Sequence, residues 1–302
     1  MRRMIAGLCA ALAVPASANT QPLPNDPVVV TGLSRPAARE LAQSYVRDLG
    51  VATGEQQAAR WLVPVCPRVV GIGKDQAKWA TQRIRAIARQ VGAPLAKEGC
   101  NSNLVVIFTD SANQTVDYLS KHPPGRLGSP GSTRTQKLRK GGMPVRWWYN
   151  VSNQTNFGVP EGSDTTPGLR LEGYANVSDA FPVNHESTVT HHFSASLVST
   201  QIARGIYAAT IVVDVNLASP ARVASLSDFA ALVGLAEISL DASPDNSILS
   251  LFDQSPEQLL ISAWDISFLT GLYRIAMDRQ PNLHRQMLVQ EMLREKARST
   301  AN

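Results

Sequence analysis

The sequence predicts an α+β fold: a mixed sheet fed by early helix–strand units, a long irregular insertion, and a helical last third. Three observations predict it. Amphipathic helical stretches and β-branched runs interleave as far as Leu119. From His122 to Gly168, Pro and Gly then supply fourteen of 47 residues. After a β-branched pair of segments, the chain from Leu226 onward carries helical periodicity alone. Strands and helices that mix early and separate later favour α+β over a regular βαβ array. The composition is that of a globular chain, with 302 residues, 44% hydrophobic and 18% charged. A disordered chain would be poorer in apolar residues. No repeat occurs at solenoid or propeller periods.

The first eighteen residues read as a signal peptide, leaving residues 19–302 as one main domain with a loop-rich insertion at about 122–170. Arg2 and Arg3 make the basic start, Met4 to Val14 the apolar stretch, and Ala16-Ser17-Ala18 the small-residue cleavage site. The apolar run of eleven falls short of the roughly 20 residues a bilayer core needs. Cys9 follows Leu8, unlike a lipoprotein cysteine, so the expectation is a periplasmic or secreted protein that does not span a membrane. Losing Arg2 and Arg3 lowers the formal charge from +5 to +3.

Export leaves two cysteines, Cys66 and Cys100, and an even pair in an oxidising compartment reads as one disulfide. A short strand at Val28 to Val30 precedes a helix that Ser34 would cap, with Ala38, Leu41, Ala42, Tyr45 and Leu49 inward. A second helix, capped by Asp75, buries Ala80, Ile84, Ile87, Ala88 and Val91 and stops at Gly92 and Pro94. Lys78, Gln82, Arg85 and Arg89 line its solvated face. The bridge would tie the strand near Cys66 to Val70 to the strand Leu104 to Thr109. A helix from Ala112 to Leu119 and a strand from Val145 to Val151 flank the insertion. Ser187 to Val198 and Arg204 to Val215 read as paired strands. Helices follow at Leu226 to Ala236, near Ile261 to Met277, and from Pro281.

Charge is segregated. Residues 118–160 carry Lys121, Arg126, Arg134, Lys137, Arg139, Lys140 and Arg146 and no acid. Residues 223–273 carry Asp228, Glu237, Asp241, Asp245, Asp253, Glu257 and Asp265 and no base. The two stretches either face one another or are separately solvated; alternatively, Arg134, Lys137, Arg139 and Lys140 form an anion-binding loop beside Trp147 and Trp148. At an exported address the partner would be an anionic envelope component, not nucleic acid. The position of Trp147, Trp148 and Tyr149, in the core or open beside the basic run, separates these readings.

Catalytic signatures fail on spacing. His185-Glu186-Ser187-Thr188-Val189 has Val where a zinc helix needs its second His. His191 is six residues on, on the far side of a helix or about 20 Å away along a strand. Gly71-Ile72-Gly73-Lys74 ends like a phosphate loop but has Arg68 for its first glycine and Asp75 for its hydroxyl. There is no G-x-S-x-G elbow. Paired carboxylates have no fixed spacing and stay open. Asn113, Asn150, Asn153 and Asn176 are sequons that matter only in a secreting eukaryote. No catalytic, metal or cofactor residue is nominated.

The segments Ala59-Arg60-Trp61 and Cys66-Pro67-Arg68-Val69-Val70-Gly71 resemble a group of exported alphaproteobacterial proteins of unknown function. So do Cys100 to Ile107, Ser247 to Asp253, and Ala263-Trp264-Asp265-Ile266-Ser267-Phe268-Leu269. More remotely, the order of elements is similar to zincin-like families that lack known activity. That likeness implies that the helix Leu226 to Ala236 stands where a zinc-binding helix would. It offers Asp228 and, at its end, Glu237 but no His, so no ligand carries over. The expectation is an exported soluble envelope protein that binds or supports without catalysis. A hydrolase on cell-wall or protein substrate, or an inactive metalloprotease-like relative, is the alternative.

Overall fold

The computed structural model of the chain describes residues 34–54, 56–121, 133–155, 199–200, 202–219, 221–253 and 259–299. The expected signal peptide, the expected strand at Val28, His185, His191 and the expected Ser187 to Val198 strand lie outside the described residues. The chain divides into two units, Met1–Ser34 and Arg35–Asn302. All elements below belong to the second. In chain order they are α1 (Arg35–Asp48), β1 (Arg60–Trp61), β2 (Pro67–Val70), α2 (Lys74–Gln90), β3 (Leu104–Thr109), α3 (Ala112–Lys121) and α4 (Thr133–Lys140). Then come β4 (Val145–Thr155), β5 (Ile202–Asp214), α5 (Val223–Leu235), a 3₁₀ turn (Ile248–Phe252), α6 (Ala263–Arg274) and α7 (Pro281–Ser299).

The sheet is mixed. β2 and β3 pair in parallel, β3 pairs in parallel with the far half of β5, and β4 runs antiparallel along all of β5. The two-residue β1 pairs in parallel with Gly205 and Ile206. β3 reads Leu-Val-Val-Ile-Phe-Thr and all six residues are buried, as a strand covered on both faces requires. Leu104, Val106 and Phe108 face the larger core with α2 and α5. Val105 and Ile107 face a smaller one under α3 and α4. This is the α+β class that the sequence predicts.

The Cys66–Cys100 disulfide joins the residue before β2 to the lead-in of β3, with Cα atoms 6.1 Å apart. The bonded cysteines are 34 residues apart, and closing such a loop stabilises by about 4 kcal/mol in the chain-entropy model. Between them, α2 buries Ala80, Ile84, Ile87 and Ala88 as its periodicity predicts. Its end is a Schellman turn: Ala93 N–H donates to Ala88 O (2.9 Å) and Gly92 N–H to Arg89 O (3.3 Å), with Gly92 at φ +78°. Its start differs from expectation. Gly73 is the N-cap, without a side-chain bond, and Asp75 sits in the first turn, where a carboxylate meets the positive helix end. Arg85, expected in solvent, is buried and donates to Ala96 O (2.6 Å). Gly71 has φ +87°, and a Cβ there would stand 1.9 Å from Phe108 O. The first glycine of the stretch that imitates a phosphate loop therefore serves the close approach of β2's exit to β3, and the second, Gly73, opens α2.

The buried helix α5 explains the aromatic run. All its residues from Ser225 to Leu235 are buried, and it has no basic residue in its last turn. Its final carbonyls lack helical partners and water, so they need donors from elsewhere. Aromatic side chains supply them: Tyr149 OH to Val233 O (2.6 Å), Trp61 Nε1 to Gly234 O (2.8 Å) and Tyr273 OH to Leu235 O (2.7 Å). Trp147 Nε1 donates one segment further on, to Ile238 O (3.1 Å). Gly234 lets α5 approach the sheet, since a Cβ there would lie 2.9 Å from the Leu104 side chain.

Candidate functional site

The sequence-nominated basic–aromatic surface is not assembled, because Trp147, Trp148 and Tyr149 are all in the core. Alternation along β4 sends Trp147 and Tyr149 to the α5 face and Trp148 under α3 and α4. The basic segment, read as loop, contains the helix α4. Two of its charges meet acids that the fold sets opposite them. Lys137 pairs with Asp241, joining the basic and acidic stretches, and Arg139 Nε bonds Asp117 Oδ1 at 2.7 Å. Lys140 is exposed at the helix end, and the side chain of Arg134 lies outside the described residues.

The buried carboxylates are committed to structure. Asp228 takes Arg83 through both oxygens, at 2.6 and 2.9 Å, and also accepts from Ile261 N–H (3.0 Å). Asp265 accepts from Tyr45 OH, Ser247 Oγ (2.6 Å), Ile248 N–H (3.0 Å) and Ser262 N–H (2.8 Å). It thereby fastens α1, the 3₁₀ turn and α6 together. Burial, and then the charge of Asp265, push the Tyr45 hydroxyl well above its ordinary range, so it stays a donor. Glu237 and Asp241 line one polar pocket of about 320 Å³ with Gln56, Gln57 and Ser239. Arg204 holds Glu237, and Lys137 holds Asp241. That pocket offers completed ion pairs where a glycosidase needs a proton donor opposite a second carboxylate. Among the described residues, no group of three or more His, Cys, Asp or Glu is placed to hold a metal.

Uncompensated charge gathers elsewhere, between α1 and α7. The inner face of α1 carries Ala42, Tyr45 and Val46, and that of α7 carries His284, Leu288, Val289 and Met292. Helical spacing then places Arg39, Gln43 and Arg47 on a stripe one step round α1. Asn282, Arg285 and Gln286 project likewise from α7. These six residues, over a floor of Val46 and Val289, line a groove of about 380 Å³. None of its lining residues is acidic. Arg285 donates to Ala52 O, just past the end of α1, and is held there. Arg47 touches Asp48 at 3.3 Å, but the two side chains are 72% and 42% exposed, so the pair is weak. Among the described residues, no carboxylate pairs with Arg39 or Arg285.

No family model, curated protein or solved structure matches this chain. The site therefore rests on its own geometry. Sequence reasoning missed it. The Arg39, Gln43, Arg47 spacing of four was visible on α1. Its other wall, more than two hundred residues downstream, was not.

Proposed function

We propose that this is an exported, soluble envelope protein that binds an anionic envelope component and performs no catalysis. One observation carries the reading: three guanidinium groups and three amides line one groove with no acid among them. Arginine stays charged at any physiological pH and bonds phosphate or carboxylate in a bidentate way, so such a groove is a standing anion site. Export is supported by the Arg2-Arg3, apolar and Ala16-Ser17-Ala18 order and by the Cys66–Cys100 bridge. Among the described residues no helix is long and apolar enough to cross a membrane.

The test is titration of the disulfide-intact protein with dextran sulfate and with uncharged dextran. The sulfated chain should bind and lose affinity steeply as salt passes physiological strength, where the Debye length is about 8 Å. Equal affinity for both polymers, or none for either at low salt, would end the proposal. Mass spectrometry of the exported pool should find Asn19 first.

A second reading, an inactive relative of zincin-like families, draws on α5 following the β4–β5 pair. In it α5 stands where those families keep a zinc-binding helix, and Asp228 is already held by Arg83. Zinc should bind no more tightly than to the unfolded chain; stoichiometric uptake by the folded protein would contradict this reading.

A further inference from the structure

We infer that the groove between α1 and α7 takes a linear polyanion laid along it, one charged group per arginine, and not a single anion at one point. This rests on the anion-binding reading above and adds the form of the ligand. Arg39 and Arg47 are eight residues apart on α1, which is about 12 Å at 1.5 Å rise per residue. Arg285 is fastened by its bond to Ala52 O, so it belongs to the Arg47 end, and Arg39 stands alone two turns away. For one phosphate to meet all three guanidiniums, Arg39 would have to swing along the groove and Arg285 leave its carbonyl. Both moves cost side-chain entropy and crowd like charges together. A chain with anionic groups at close intervals neutralises each arginine where it stands.

The rest of the lining fits that ligand. Gln43 on α1 and Gln286 on α7 lie between the two charged ends and offer amide N–H groups to linking oxygens. Val46 and Val289 close the floor, so the ligand rests in the groove and does not thread through the protein. A concave groove of this kind meets a strand better than a flat lipid surface.

The experiment measures the affinity of the disulfide-intact protein and of Arg39→Gln for orthophosphate, tripolyphosphate and long-chain inorganic polyphosphate. Polyglutamate of matched charge and vesicles containing phosphatidylglycerol are further arms. Arg39 is exposed, so its variant should melt as the parent does. Affinity should rise at least tenfold from orthophosphate to the long chain, and its slope against log salt should approach −2, as for three single-strand contacts. Arg39→Gln should weaken long-chain binding about tenfold and leave tripolyphosphate almost unchanged, because a short anion is served by Arg47 and Arg285. Parallel loss on polyglutamate would assign the site to linear charge in general; loss on polyphosphate alone would assign it to phosphate. Equal weakening of orthophosphate and long chain would overturn the linear site while leaving an anion-binding protein. Binding confined to vesicles would do the same. No binding in any arm would remove both readings.

Discussion

The face of α4 and the groove between α1 and α7 each present basic side chains, yet the fold treats them differently. On α4, Lys137 meets Asp241 and Arg139 meets Asp117. In the groove, Arg39, Arg47 and Arg285 are strung out over two valines with amides between them and no acid in the lining. The α4 segment is the denser charge run in sequence, yet Lys137 and Arg139 both meet acids in space. A run of like charge along a chain reports local composition. Excess charge at a surface depends on what distant segments stand opposite, here Asp117 and Asp241 against α4 and Arg285 against α1. The aromatics extend the contrast: Trp147 and Tyr149 are adjacent to basic sequence but serve the carbonyls around the end of α5.

The buried pair of Asp228 and Arg83 sets the scale for both regions. Asp228→Ala removes the partner of Arg83 and the acceptor of Ile261 N–H. It should cost about 3 kcal/mol in urea unfolding, the lower end for a broken buried pair because Arg83 keeps 36% of its side-chain surface exposed. A cost below that of the α4 pairs would show that burial does not rank these contacts.

The groove can be separated from general stability by pH. His284 lies on α7 one residue before Arg285, fully buried, and its Nδ1 accepts from Ala58 N–H (3.1 Å). Burial pushes its pKa down, and the Arg60 charge adds to this. The Met277 and Ala276 carbonyls and Asp278 oppose it. The unfolded chain therefore takes up the proton first as pH falls through about 6.5, and folding stability should decline between pH 7 and 5. Asp278 is held below its ordinary range, first by the Ser199 hydroxyl bond, so its contribution is lost only under more acidic conditions, below about pH 4. Binding of a sulfated probe should stay level from pH 8 to 6, since arginine does not titrate there. A parallel fall of binding and stability over that range would tie the site to His284 and break the assignment to arginine.

Smaller effects belong to α4. Lys137→Gln should cost under about 1 kcal/mol, because Lys137 and Asp241 are 38% and 71% exposed. Arg139→Gln should cost no more than about 0.5 kcal/mol, with its pair near half exposed on both sides. Both losses should shrink in high salt, and denaturant midpoints read them. Losses above 2 kcal/mol would make α4 a structural clamp.

The sequence carried the local features well. The Ile84, Ile87, Ala88 stripe, the Gly92 stop and the Cys66–Cys100 pair are short-range patterns, and the structure holds them. α4 was hidden because Thr133 to Lys140 has a single apolar residue, Leu138, and so no periodicity to read. The two-residue β1 is below the length at which alternation shows. The donors at the end of α5 come from Trp61, Tyr149 and Tyr273, three segments far apart in the chain, and no local signal joins them. The site follows the same rule: one wall was a legible stripe on α1, and its meaning appeared only when α7 packed beside it.

The most direct measurement compares two multiple variants against one anionic probe, with melting temperatures taken alongside. One carries Arg39→Gln, Arg47→Gln and Arg285→Gln; the other carries Arg134→Gln, Lys137→Gln, Arg139→Gln and Lys140→Gln. The groove variant should lose binding of dextran sulfate at least tenfold and melt within a few degrees of the parent, while the α4 variant should keep its affinity. Retained binding by the groove variant, with loss by the α4 variant, would contradict the account.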